Sequence, residues 1–131
     1  MNPRWRSPSV LIVEDNPTVR SGLRTLLELT FGLSNINEAG NQEEALQKIQ
    51  QCNPELVLLD LHLDQKNMER LQGLDVLRQI KTASWTTRVF ILTVDASETS
   101  RQESLAAGAE KFFMKGGDPE ELLNAIRMLK R

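Results

Sequence analysis

Glu14, Asp15, Asp60, Thr93 and Lys115 carry side chains suited to joint chemistry, and all stand where a short apolar run ends. Glu14 and Asp15 follow Val10-Leu11-Ile12-Val13, and Asp60 follows Leu56-Val57-Leu58-Leu59. Thr93 follows Val89-Phe90-Ile91-Leu92, and Lys115 follows Phe112-Phe113-Met114. Carboxylates brought together repel one another and need a shared cation. Oxygen donors without a cysteine or histidine cluster suit a hard ion such as Mg²⁺. Magnesium keeps several waters and takes few protein carboxylates, which leaves room for a phosphoryl group. The Thr93 hydroxyl and the Lys115 ammonium are a hydrogen-bond donor and a cation, fit to hold phosphoryl oxygens. Asp60, which ends its run alone, is the candidate nucleophile, since carboxylates form aspartyl phosphates.

For these residues to meet, the runs must be strands that end at one edge. Continuous apolar runs of this length read as strands buried on both faces, as in a parallel sheet. A weaker strand is expected over Leu33–Ala39, where Asn35 and Asn37 interrupt the pattern. The segments between read as helices. Asn16 caps one with Pro17 at its first position, and Val19, Leu23, Leu26 and Leu27 line its inner face. Asn41 with Glu44 opens a second, with Ala45, Leu46 and Ile49 inward. Leu74, Leu77 and Ile80 mark a third. Ser97 caps a fourth that Gly108 stops, polar until Leu105. Asp118-Pro119 opens the last, with Leu122, Ala125, Ile126 and Leu129 inward. Alternating strands and helices predict an α/β fold, a doubly wound parallel sheet covered on both sides. In such sheets active residues gather at the carboxyl ends of the strands. Any one of the polar strand ends is equally well read as a place where the sheet meets water. The whole set, in this order, is not.

The bulk numbers exclude other classes. The chain has 131 residues, 40% hydrophobic and 26% charged, with net charge −2, which suits one globular domain and gives no electrostatic footprint for nucleic acid. Short basic ends (Arg4, Arg6; Arg127, Lys130, Arg131) read as solvated termini. The single cysteine, Cys52, points to a reducing compartment. No apolar run approaches the roughly 20 residues of a membrane span, and the start lacks a secretory pattern. A cytoplasmic protein is expected. No phosphate-cradling glycine motif occurs.

The segments Val10–Asn16, Leu58–Leu61, Ile91–Thr93 and Gly108-Ala109 through Lys115 together resemble the receiver domains of two-component response regulators. The likeness covers about residues 9–130, so the domain is taken as 9–131 behind a tail at 1–8. It implies a flavodoxin-like, five-stranded parallel sheet of order 2-1-3-4-5 with five helices. It implies that Asp60 is the phosphoacceptor and that Asp15 and Asp60, the backbone carbonyl of His62 and (through water) Glu14 hold Mg²⁺. Thr93 matches the switch hydroxyl, Lys115 the phosphoryl-pairing lysine, and Phe112 the aromatic switch position. His62 and Asp95 match the positions that tune dephosphorylation. The implied partners are a histidine kinase or histidine phosphotransfer protein, with an output domain or second copy meeting the face of the fourth helix, fifth strand and fifth helix. A kinase-side helix pair is expected near Pro17, Arg20 and Gly116. Neither nucleic acid nor membrane is expected to bind this domain itself.

Three departures stand out. Gly116 follows Lys115 where the family commonly has proline, often after a cis peptide; lysine then glycine is familiar in receivers that precede helix-turn-helix output domains. Asp64 replaces another common proline. The stretch from Asp60 to Gly73 is longer than usual, and the added Gln65–Gln72 reads mainly as a tolerated surface insertion. Trp85 reads as a surface anchor in a loop, and Trp5, outside the domain core, as a partner contact or a tail residue. Competing readings are a scaffold that works without phosphorylation, a regulatory fragment of a DNA-binding regulator, and a small phosphatase. The intact acidic set argues against the first. The lack of a second acid placed to release a substrate argues against the last. Met1 reads as an authentic start, and a stand-alone receiver and a piece of a longer regulator both remain open.

Overall fold

Among the residues described by the computed structural model (8–64, 71–83, 86–95 and 97–129), five strands and five helices alternate. They are β1 (Val10–Val13), α1 (Pro17–Phe31), β2 (Ile36–Ala39), α2 (Gln42–Cys52), β3 (Leu56–Leu59), α3 (Gln72–Ala83), β4 (Arg88–Thr93), α4 (Glu98–Ala106), β5 (Lys111–Met114) and α5 (Pro119–Arg127). The sheet runs β2-β1-β3-β4-β5 with every pair parallel, as the resemblance implies. The tail through Ser7, Trp85, Lys130, Arg131 and most of the 64–72 stretch lie outside the described residues.

Alternation along the strands divides the core in two. Leu11, Val13, Val57, Leu59, Val89 and Ile91 point to one face and pack with Ala45, Leu74, Leu77 and Ile80 of α2 and α3. Val10, Ile12, Leu56, Leu58 and Phe90 point to the other and pack with Leu27, Leu122 and Ile126 of α1 and α5. β1, β3 and most of β4 are therefore buried on both sides, which is why they read as unbroken apolar runs. Each fully buried Leu or Ile contributes roughly 1.5–3 kcal/mol.

The expected caps form. The Asn16 side chain accepts from the backbone N–H of Thr18 at 2.9 Å and of Val19 at 3.3 Å. Asn41 accepts from Glu44 N–H at 2.8 Å, and Glu44 Oε2 accepts from Gly40 N–H at 3.0 Å. Gly108 takes φ +112, a conformation side chains resist, and lets the chain leave α4. Three expectations are adjusted. β2 is only Ile36–Ala39, shorter than Leu33–Ala39, because pairing with β1 starts at Val10–Ile36; Leu33 is buried ahead of the strand. On α1 only Leu27 is fully buried, since Val19, Leu23 and Leu26 border an open groove facing α5. On α5, Leu123 is buried beside Leu122 and Ile126, while Ala125 is half-buried. No described helix is long and apolar enough to cross a membrane.

Candidate functional site

The parallel order turns at β1, whose neighbours β2 and β3 are reached by crossovers in opposite directions. A crevice opens at such a switch point beyond the carboxyl ends of the strands. Glu14, Asp15 and Asp60 meet there: one carboxylate oxygen of each lies within 4.8 Å of the others. Glu14 and Asp60 are buried, and Asp15 is half-buried. β1 and β3 bring them together because Asp60 N–H donates to Val13 O at 3.0 Å, continuing the ladder one residue past the strands.

Lys115 reaches the same place from the end of β5. Its ammonium donates to Asp60 Oδ2 at 2.7 Å and to Glu14 Oε1. Burial alone would lower the Lys115 pKa, but the two carboxylates outweigh it and hold the pKa above the ordinary lysine value. Glu14 shifts upward too. Burial is the main cause, and the neighbouring acids Asp15 and Asp60 add to it against the Lys115 contact.

The donor set fits a hard divalent cation. Oδ1 of Asp15 is buried and has no hydrogen-bond partner, an expensive state for a carboxylate oxygen. It belongs to the same group of acids, and all the side-chain donors are oxygens. This is the ligand chemistry Mg²⁺ takes.

Thr93 is fully buried at the end of β4, and its hydroxyl accepts from Asp95 N–H at 3.3 Å. β5 is tied to it through Lys115 N–H to Thr93 O at 2.8 Å. Phe112 is half-buried against the α2–α3 side of the core, whereas Phe113 faces the other side and meets the Phe90 ring edge-on at 5.8 Å. His62 N–H donates to Asp60 Oδ1 at 3.1 Å, and the His62 ring is buried with Nε2 3.4 Å from Asp95 Oδ2. The same Asp95 oxygen accepts from Ser100 Oγ at 2.6 Å, and Oδ1 accepts from Ser97 N–H at 3.1 Å. The Ser100 hydrogen bond is the first cause that takes the Asp95 pKa down to about 2. Every described peptide bond is trans, including Lys115–Gly116, and Gly116 adopts φ +83 instead.

Sequence reasoning missed Gly73. A Cβ there would stand 2.1 Å from the Asp60 carbonyl oxygen and 2.6 Å from Leu61 Cα. Its N–H donates to Leu61 O at 2.9 Å. The start of α3 thus rests on the backbone of Asp60. A glycine at the head of an apolar helix was the available signal.

Comparison with known proteins agrees with this geometry. The response regulator receiver domain family matches residues 10–127. The chain is 37% identical to the nitrate/nitrite response regulator protein NarP of Escherichia coli over 118 residues, 90% of this chain and 53% of the relative. It thus spans about half the length of the curated relatives it matches. A two-component response regulator of the LuxR family from Aurantimonas superposes with TM-score 0.82 at 29% identity, covering 93% of this chain and 84% of the other. The signal receiver domain of a DNA binding response regulator from Colwellia psychrerythraea superposes with TM-score 0.83 at 26% identity, covering 92% and 96%.

Proposed function

The chain belongs to the response regulator receiver domain family, and from that premise we propose that Asp60 accepts a phosphoryl group from the phosphohistidine of a histidine kinase or histidine phosphotransfer protein. The carrying observation is the convergence of Glu14, Asp15, Asp60 and Lys115 at the strand ends. An Asp60 carboxylate oxygen forms the new bond to phosphorus as the phosphorus–nitrogen bond breaks, and the electron pair returns to the donor imidazole. Lys115 already touches Asp60 and passes to a phosphoryl oxygen. Thr93 is free to turn its hydroxyl from Asp95 N–H toward another. Phe112 then follows into the space Thr93 vacates.

Glu14, Asp15, Asp60 and the His62 carbonyl would hold Mg²⁺, which when bound offsets negative charge on the phosphoryl oxygens. His62 and Asp95 flank the acceptor, where they set the access of hydrolytic water. Apart from taking up and losing this group the domain is not a conventional enzyme. The groove between α1 and α5, about 380 Å³ and lined by Val19, Leu23, Leu26, Phe113, Pro119 and Leu122, opens beside Lys115 and Gly116 and suits the kinase-side helices. Exposed Val94 and Met114 border the α4–β5–α5 face, which suits an output domain or a second copy. The likeness to the receiver domain of a DNA binding response regulator supports a DNA-binding output as one kind of partner.

Labelling with a small phosphodonor tests the reading. The native chain should take up one acid-stable, base-labile phosphoryl group only with Mg²⁺, and Asp60→Asn none. Equal labelling of Asp60→Asn, or none of the native chain, overturns it.

A further inference from the structure

Asp15 poses a positioning problem. Its Oδ1 has no hydrogen-bond partner, so this oxygen is not aimed by a bond of its own. Its direction is inherited from the backbone at the β1–α1 corner. Glu14 N–H donates to Ala39 O at 3.0 Å, which fixes the corner on the amide side. On the carbonyl side the anchor is a side chain: Arg20 Nη1 donates to Glu14 O at 2.7 Å. The guanidinium is itself aimed, since Nε donates to Glu38 Oε1 at 3.0 Å. It is also packed closely: a Cβ at Gly40 would lie 3.1 Å from Nη1. Arg20 therefore faces inward and joins β2, the β2–α2 turn and the peptide that precedes Asp15.

Arg24 provides the contrast. It grips the same Glu38, Nε to Oε2 at 2.6 Å, but its other backbone contact is Ile36 O at 2.6 Å, not the acidic corner. Both arginines cover the edge strand β2, a general need of sheet edges. One of them also reaches the site.

We propose that Arg20 is a positioning residue for the cation site, holding the Glu14–Asp15 peptide so that Asp15 presents its free oxygen beside Asp60, with Glu38 orienting Arg20. The inference rests on the reading of Glu14, Asp15 and Asp60 as a cation site. A guanidinium is needed because two donors must diverge to a carboxylate and a carbonyl at once; a lysine ammonium on a flexible stem does not reproduce that fork.

The test is Mg²⁺ binding to the unphosphorylated full chain, followed by amide NMR shifts at residues 14–16 and 60–62. Native protein should saturate, and Asp15→Asn should lose the response. Arg20→Gln should weaken Mg²⁺ about tenfold, the scale on which partners of metal ligands act. Arg20→Lys should fall between, and Arg24→Gln should bind as the native chain does. In phosphodonor labelling, Arg20→Gln should need more Mg²⁺ for half-maximal rate yet reach close to the native rate at saturation. A general loss of structure would lower both. Should Arg20→Gln fail to fold, Arg20→Lys carries the test. Unchanged Mg²⁺ affinity in the folded Arg20 variants, or equal weakening in Arg24→Gln, overturns the inference alone. No saturation in native protein, or an unaltered response in Asp15→Asn, overturns the cation-site reading with it.

Discussion

Nε2 of His62 lies 3.4 Å from Oδ2 of Asp95, so the loop after β3 and the loop before α4 meet. With its proton on Nε2 the ring donates to a carboxylate that also receives Ser100 Oγ and Ser97 N–H from the first turn of α4. The buried residues of α4 are Ser100 and Ser104, neither of them a large apolar anchor. Half-buried Leu105 packs the end of this helix on the core, and the polar contacts through Asp95 hold its first turn. Asp95→Ala should raise hydrogen exchange across 97–104 while leaving α1 and α5 unchanged. Ser100→Ala should do so less, because the Ser97 contact remains. Equal protection in native and Asp95→Ala protein would show that α4 is held by something else.

Acid should act on the same residue with a definite sign. The Asp95 pKa falls from 3.8 to about 2 on folding, so its carboxylate stabilises the fold fully above pH 4. That contribution, about 1 kcal/mol once solvent screening is allowed for, is lost as pH falls from 4 through 2. Asp95→Asn should flatten the stability curve in that window.

Glu14 carries the opposite sign. Its pKa is raised from 4.5, mainly by burial, so its ionised form opposes folding at neutral pH. Glu14→Gln should therefore raise the melting temperature at pH 7, and the gain should vanish below pH 4. The same variant should bind Mg²⁺ more weakly, a trade between stability and function. Denaturant titrations across pH on native, Asp95→Asn and Glu14→Gln protein read both effects.

Gly73→Ala should harm both fold and site. The new methyl would meet backbone, not a yielding side chain, and its approach to 2.1 Å from the Asp60 carbonyl oxygen must move α3 or β3. Overpacking of this kind costs about 3 kcal/mol or more. The urea midpoint should drop, and phosphodonor labelling at a temperature where the variant is still folded should slow. A variant with native midpoint and native labelling would show that α3 shifts freely.

Much of this arrangement was legible because burial on both faces leaves a plain mark. β1 and β3 are apolar throughout and β4 is apolar from Val89 to Leu92, so the polar residue that ends each run stands out, and Glu14, Asp60 and Thr93 could be picked from the string. β2 is an edge strand with half-buried Asn37 and Glu38, so its alternation is weak and its start was misjudged. Arg20 and Gly73 were illegible for another reason. What matters in them is a contact with backbone, Glu14 O for one and Asp60 O for the other, and a carbonyl has no letter in the sequence. The His62–Asp95 contact was half legible: each position was named, but that they touch depends on where two loops come to rest.

The long segment before α3 yields the last prediction. Leu61 O and Gly73 N–H are joined at 2.9 Å, so the described flanks of the segment are tied to each other. Leu61 and Leu63 are buried on the outgoing side, and Gln72, Gly73 and Leu74 on the returning side. The base of the segment is thus fixed by packing and a hydrogen bond on both arms. Closing such a loop costs free energy only as the logarithm of its length, so removing residues 65–69 should change stability by no more than about 0.5 kcal/mol. The charges within Asp64–Arg70 (Asp64, Lys66, Glu69, Arg70) nearly cancel, which argues against long-range steering of a partner. Selectivity through this segment would have to come from shape and local pairing. Labelling by a small phosphodonor should survive the deletion, since Asp60, Lys115 and the acidic pair are held by strands. Transfer from the cognate kinase should slow if the segment meets that partner. Loss of labelling from the small donor as well would show that the segment shapes the site itself, and equal rates from both donors would show a passive insertion.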